Sequence, residues 1–261
     1  MHHAYIDKFA YQDSPIHRLD SRVKFIVAAA FTFMVLSLPR TSFSILACYV
    51  VGPFAVLVIG RIPLKFTFKH IMAVSPFILI LALSCPYYDR SAVTVFFGPF
   101  AWQTSLGWIR CFVILGKFIV TMLALIALVS TTRFNDLLVG LRKLGLPKIL
   151  IIQLGFLYRY IFILIDKVHH ILRARASRKL RNLGFSAELK IAGAMLGSLF
   201  VRSIDTAEQI STAMQARGFD GRWRTISKQQ TRFADYVFAF GAAFFMLLLY
   251  FFVRPVLQRG L

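Results

Sequence analysis

The chain has 261 residues, 58% of them hydrophobic and 15% aromatic with 27 Phe, against only 16% charged, and its mean hydropathy is +0.68. These proportions exclude an ordinary soluble domain. The 31 Lys and Arg against 11 Asp and Glu leave a net charge of +20, which beside such apolarity points to a membrane protein with basic cytoplasmic segments.

In chain order, Met1 to Lys24 is a mixed polar stretch of a kind that does not suggest a cleaved signal peptide. Five apolar runs follow: Phe25 to Leu38, Phe43 to Ile59, Ile71 to Ser84, Leu106 to Ser130 and Tyr236 to Val253. Each is about long enough, some with flanking residues, to cross a hydrocarbon core of about 30 Å. An all-α, polytopic membrane protein with about five transmembrane helices is therefore expected. With the N-terminus inside, 25 of the 31 basic residues fall on the cytoplasmic side, the orientation the positive-inside rule favours. Cys85 to Ser105 becomes an outer loop. The expected organisation is a membrane part at 1–132, a cytoplasmic coupling module at 133–235, and a last span with its tail at 236–261.

Within the module, Ile149 to Ile165 and Ile191 to Val201 are apolar, but the first contains Gln153 and Arg159 and the second is short. They are read as long amphipathic helices packed at the cytoplasmic face. Gly193 and Gly197 share one helix face, which suits close helix contact or an ordinary packed helix equally well.

The five spans hold no Asp or Glu, which disfavours a self-contained cation carrier. Arg110 and Lys117, in the fourth span, read as snorkelling or helix-pairing residues. Cys48, Cys85 and Cys111 form no CxxC pair. There is no HExxH, GxSxG, paired carboxylate or GxxxxGK[ST], so no catalytic residue, metal site or cofactor is expected and any ATP must be bound by another chain. The Met1 amine with His3 is a weak chelating pattern, and His169 and His170 read as solvated surface.

Thr131 to Pro147 has the signals of a short amphipathic helix. Thr132 or Asn135 would cap it, Asp136 suits its first turn, and Leu137, Leu138, Leu141 and Leu144 form one face. Gly145 and Pro147 would stop it. Further on, Ala174-Arg175-Ala176-Ser177-Arg178 and Ala213-Met214-Gln215-Ala216-Arg217 share an A-x-x-[AS]-R pattern 39 residues apart, each at the end of a predicted helix. Gly218 suits the left-handed position after such an end, with Phe219 placed for the hydrophobic contact that follows. Small residues before an arginine let another backbone approach, and the helix end offers the guanidinium fork to a carboxylate or carbonyl partner. The bland alternative is that these basic residues complement helix dipoles and the anionic leaflet.

At these residues the sequence resembles the transmembrane coupling (T) components of energy-coupling factor transporters, most closely the cobalt-type CbiQ family. Ile6-Asp7-Lys8-Phe9-Ala10-Tyr11 with Ser14-Pro15 and His17 to Lys24 resembles the family's N-terminal signature. Thr131 to Pro147 resembles its post-membrane helix, and Ala216-Arg217-Gly218 its second Ala-Arg-Gly coupling motif. The first motif departs from the pattern, with Ser177-Arg178-Lys179 in its place and Arg175 as the competing arginine. The resemblance implies a non-catalytic scaffold in a bacterial inner membrane, N-terminus inside, working with two CbiO-like ATPase subunits. A CbiM-like substrate-capturing subunit, with or without a small CbiN-like one, would hold cobalt or nickel. The shared T component of a vitamin transporter is the alternative within the family; a membrane-tethered basic module for anionic lipid or nucleic acid is the alternative outside it. The favoured reading has membrane lipid and no nucleic acid among its partners.

Overall fold

The computed structural model describes residues 10–38, 43–88, 92–97, 100–178, 184–221 and 233–259. The N-terminal residues through Phe9, Lys179 in the first arginine motif, and Arg224 and Lys228 in the basic stretch before the last helix lie outside the described residues. Eight helices follow in chain order: α1 Ser21–Ser37, α2 Phe43–Ile59, α3 Leu64–Tyr88, α4 Leu106–Thr131, α5 Phe134–Lys143, α6 Lys148–Arg178, α7 Phe185–Ala216 and α8 Phe233–Arg259. One antiparallel hairpin, β1 Ala92–Phe97 with β2 Phe100–Ser105, stands between α3 and α4. Each of the five expected spans lies on a helix.

The stretch expected as a loop from Cys85 to Ser105 is more ordered than that. Helix α3 continues through Cys85 to Tyr88, and the next segments pair with Val93 opposite Thr104 and Val95 opposite Trp102. β-Branched and aromatic residues fit a pleated ladder, which overrides the loop reading. The two apolar stretches of the supposed module are also parts of longer helices, α6 with 31 residues and α7 with 32. By length and hydropathy α3, α4, α6 and α8 are each sufficient to cross a membrane, and the shorter α2 is apolar over Leu46–Ile59. The helix carrying Ile149 to Ile165 thus qualifies for a span, where an interfacial helix was expected.

The chain divides into two compact units, residues Tyr5–Gly140 with Ser227–Leu261, and Leu141–Ile226 with Met1–Ala4. In the first, the membrane unit, Phe31, Val35, Leu46, Tyr49, Val120, Ala124 and Leu249 from α1, α2, α4 and α8 make one core cluster. Leu57, Ile62, Leu123, Ile126 and Ala127 make a second. Helix α4 supplies both because its small and branched residues recur on the same face. At Gly116 an added Cβ would collide with the Leu46 side chain, so the glycine lets α2 approach α4 closely.

Helix ends follow local chemistry. Asp20 caps α1 by accepting from the Arg22 N–H at 3.0 Å, and Leu38, which precedes a proline in sequence, is extended. Lys117 of α4 donates to the carbonyls of Leu36 and Leu38 at 3.1 and 2.6 Å, completing the C-terminus of α1 with a cation. This gives Lys117 the structural helix-pairing role expected of it. After α2, the Ile62 N–H bonds Leu57 C=O at 3.1 Å and the Arg61 N–H bonds Val58 C=O at 3.0 Å. That is a Schellman end whose left-handed residue, Arg61 at φ 53°, is not glycine.

Candidate functional site

In the second unit α6 and α7 form an antiparallel hairpin. Phe156 meets Phe219 with ring centroids 6.4 Å apart, Lys167 Nζ donates to Thr206 Oγ1 at 2.6 Å, and Arg175 pairs with Glu188. This register puts the C-terminal end of α6 beside the start of α7, and the C-terminal end of α7 beside the early part of α6. The two arginine motifs therefore occupy opposite ends of the hairpin. From Glu188, beside Arg175, to the end of α7 at Ala216 the helix rises about 40 Å at 1.5 Å per residue.

The α7 end is built as its residues dictate. The Gly218 N–H bonds Gln215 C=O at 3.0 Å and the Phe219 N–H bonds Met214 C=O at 3.1 Å. Gly218 takes φ +71°, a value L side chains rarely adopt. Phe219 then packs on Phe156, the hydrophobic contact expected after such a cap. Arg217 is the C-cap residue, its N–H shared between Ala213 and Met214 carbonyls. Its side chain is exposed, as are Ala216 and Gly218.

The α6 end separates the two candidate arginines. Arg175 is half-buried and held by Glu188 of α7, whereas Arg178 is exposed. Ser177 is exposed and back-bonds to the Arg173 carbonyl at 3.2 Å. Between the helices lies a groove of about 1000 Å³ reaching from Lys167 and Thr206 to Arg175 and Arg178. Gly193 and Gly197 face open space, so among the described residues they bring no second helix close.

Helix α5 ends as expected at Gly145, φ +101°, with the Leu146 N–H on Leu141 C=O at 3.2 Å. Its start differs. The Leu137 N–H bonds the Arg133 carbonyl, and Thr132 Oγ1 is buried without a hydrogen-bond partner, so Thr132 does not cap the helix. Of the predicted leucine face, Leu138 is buried, Leu137 and Leu141 are half-buried and Leu144 is exposed.

A further polar cluster, in the membrane unit, escaped sequence reading. Lys24, one residue before the apolar run of α1, is buried and donates to the carbonyls of Thr131 at 2.9 Å and His17 at 3.3 Å. The Asp20 N–H donates to Asp235 Oδ1 at 2.7 Å, and Ser21 Oγ to the Asp136 carbonyl at 2.7 Å. Desolvation pulls the Lys24 ammonium down from 10.5 to about 8, against the opposing pull of Asp136, Asp235 and Asp20. The only sequence signal was the His17 to Lys24 block itself; nothing local marks its lysine as buried. No group of three His, Cys, Asp or Glu suited to a metal ion occurs among the described residues.

Residues 12–230 match the family model of CbiQ, described as a cobalt transport protein. The chain is 29% identical over 229 residues to the energy-coupling factor transporter transmembrane protein EcfT of Bacillus selenitireducens, covering 83% of this chain and 84% of that one. It is 33% identical over 125 residues to the nickel permease LarQ of Lactiplantibacillus plantarum, and 32% identical over 127 residues to an uncharacterised protein of Methanocaldococcus jannaschii. Those two matches take in 48% and 49% of this chain and 44% of each relative. Relatives of this kind are transmembrane components of transporters and not enzymes, and the chain belongs to the CbiQ family of energy-coupling factor T components.

Proposed function

We propose that the chain is the coupling scaffold of an ATP-driven importer, converting closure of two CbiO-like cytoplasmic ATPases into movement of a CbiM-like substrate-capturing membrane subunit, with or without a CbiN-like one. The observation that carries this reading is the α6–α7 hairpin, which presents an exposed arginine at each of two well-separated helix ends, Arg178 and Arg217. Two such ends suit two equivalent acidic grooves, and the continuous helices between them carry displacement of either end along their length. Arg178 is favoured over Arg175 as the first coupling arginine because Glu188 already satisfies Arg175. The N-terminus is placed inside on the asymmetry of basic residues. Cobalt or nickel as substrate rests on the description of the family and on the nickel permease among the relatives; capture of the ion is assigned to the partner subunit.

Co-purification with the ATPase subunits and metal uptake in cells test the proposal together. Arg178→Ala and Arg217→Ala each weaken assembly by about 2–5 kcal/mol where the partner charge is left unpaired, and abolish most uptake. Arg224→Ala and Lys228→Ala change each by at most about 1 kcal/mol. Equal modest losses in all four variants reduce the coupling ends to a general basic surface. The EcfT relatives aligned over most of the chain favour a second reading, a T component serving vitamin-binding subunits. Uptake of a vitamin in place of cobalt or nickel, through the same two arginines, selects it.

A further inference from the structure

Helix α3 leaves one strip open along most of its length. Lys65, Lys69, Met72, Ile80, Leu83 and Tyr87 recur at helical spacing, and all six are exposed. The helix is long and apolar enough to cross a membrane, so hydrocarbon faces Met72, Ile80 and Leu83, and the strip ends at one surface in the two lysines. The apolar run from Ile71 to Ser84 rises about 21 Å at 1.5 Å per residue, less than a hydrocarbon core of about 30 Å. The first turns of α3 therefore lie at the depth of the headgroups and upper acyl chains, where a lysine stem follows the apolar surface and its ammonium reaches the phosphates.

The corner that leads into α3 adds a third cation. Arg61 is exposed and takes the left-handed position after α2, φ 53°, where glycine would be unstrained. A larger residue in such a position points to a role for its side chain. The side chains of Arg61, Lys65 and Lys69 make no ion pair or hydrogen bond among the described residues. Other cations of the membrane unit are answered: Arg18 and Arg22 by Asp13 and Asp20 at 3.9 and 3.8 Å, Lys24 and Lys117 by backbone carbonyls, and Arg133 by the Tyr11 ring. The carboxylates of Asp20, Asp136 and Asp235 face Lys24, and no Asp or Glu stands between Asp20 and Asp89 in the sequence. Three uncompensated positive charges at the end of a lipid-facing strip require an anion that itself belongs to the bilayer.

We propose that the α2–α3 corner binds anionic phospholipid, with Arg61, Lys65 and Lys69 around the headgroup phosphate and the acyl chains along Phe68, Met72 and Ile80. Phe68 borders the strip and is 66% exposed, which places an aromatic ring where headgroup and chain meet. The corner thereby selects phosphatidylglycerol over zwitterionic lipids in its leaflet and fixes the depth of α3. This inference depends neither on the ATPase contacts nor on the substrate, and its test involves neither.

The full-length chain carrying the photocrosslinker benzoylphenylalanine in place of Phe68 is reconstituted in vesicles of dioleoylphosphatidylcholine with a minor share of dioleoylphosphatidylglycerol. After irradiation its lipid adducts are weighed by mass spectrometry. Phosphatidylglycerol adducts exceed their bulk share about tenfold, and high salt reduces the excess because the charges are exposed. Lys65→Gln combined with Lys69→Gln returns the adducts to the bulk share. Lys65→Arg combined with Lys69→Arg preserves the excess, since it keeps the charge at the same two exposed positions. The proposal is overturned if phosphatidylglycerol is labelled only at its bulk share, or if the glutamine pair retains the excess. It is equally overturned if irradiation in intact cells gives chiefly a protein adduct at position 68, which would make the corner a subunit contact.

Discussion

Helix α4 contributes ten buried residues among its 26, whereas α7 contributes none among its 32. Both helices are rich in apolar residues, but those of α4 meet α1, α2 and α8 in two core clusters, and those of α7 remain open. Phe185 is 84% exposed, and Leu196 and Phe200 are each 66% exposed. A contiguous apolar surface of this kind marks an interaction face. The membrane unit therefore carries its stabilising contacts within itself, while the hairpin depends for its order on what covers it.

The contrast is broken most severely by truncating a core side chain. Tyr49 is 1% exposed, and Tyr49→Ala should cost about 3–5 kcal/mol. Leu196→Ala, on the open face of α7, should stay within about 0.5 kcal/mol. Denaturant unfolding of the chain in detergent compares the two; a similar cost at both positions would mean that α7 packs as a core helix.

The second test uses pH. The buried Lys24 has a folded pKa of about 8 against 10.5 when exposed, so below 8 the folded state bears the full cost of a buried ammonium. Stability of the membrane unit should then rise as pH increases from about 8 to 10.5, by on the order of 2–3 kcal/mol. In Lys24→Gln the rise should be absent. An identical pH profile in the variant would assign the effect to other groups.

A smaller effect is expected within the hairpin. Arg175→Ala breaks the Glu188 pair, whose side chains are 26% and 28% exposed, and should cost about 1 kcal/mol, read as faster hydrogen exchange in α6 and α7. ATPase co-purification should persist if Arg178, as proposed, is the docking arginine. Loss of the ATPases in Arg175→Ala with Arg178→Ala unaffected would exchange their roles. The smallest effect is a gain: Arg61→Gly relieves the left-handed φ of 53° and should stabilise by about 0.5–1 kcal/mol, measured as a raised midpoint.

Much of the fold was legible because its signals are local. The apolar run from Phe43 to Ile59 coincides with α2, and the run from Leu106 to Ser130 falls one residue short of the end of α4. Gly145 and Gly218 stop their helices where sequence placed the stops, since a glycine at positive φ closes a Schellman end whatever surrounds it. Long amphipathic helices were legible over α6 and α7, but that α6 is long and apolar enough to cross a membrane was not. Polar residues such as Arg159, Asp166 and Lys167 interrupt the apolar pattern without interrupting the backbone, so a helix of spanning length read as an amphipathic one at the membrane face.

The two candidate arginines at the end of α6 show the limit most directly. In sequence Arg175 and Arg178 are near-equivalent, each preceded by a small residue on a helix end. Only the folding of α7 back along α6 puts Glu188 against one of them and leaves the other to solvent. Lys24 follows the same logic, because its burial depends on a carbonyl 107 residues away at Thr131. Composition, apolar runs and glycine stops determined by themselves that the chain is a helical membrane protein, and where several of its helices begin and end, because those properties are set by each residue and its near neighbours. Which charges are satisfied, which are buried and which are left to meet a partner was decided by tertiary structure alone, since electrostatic and hydrogen-bond partners are chosen in space, across separations that no local pattern encodes.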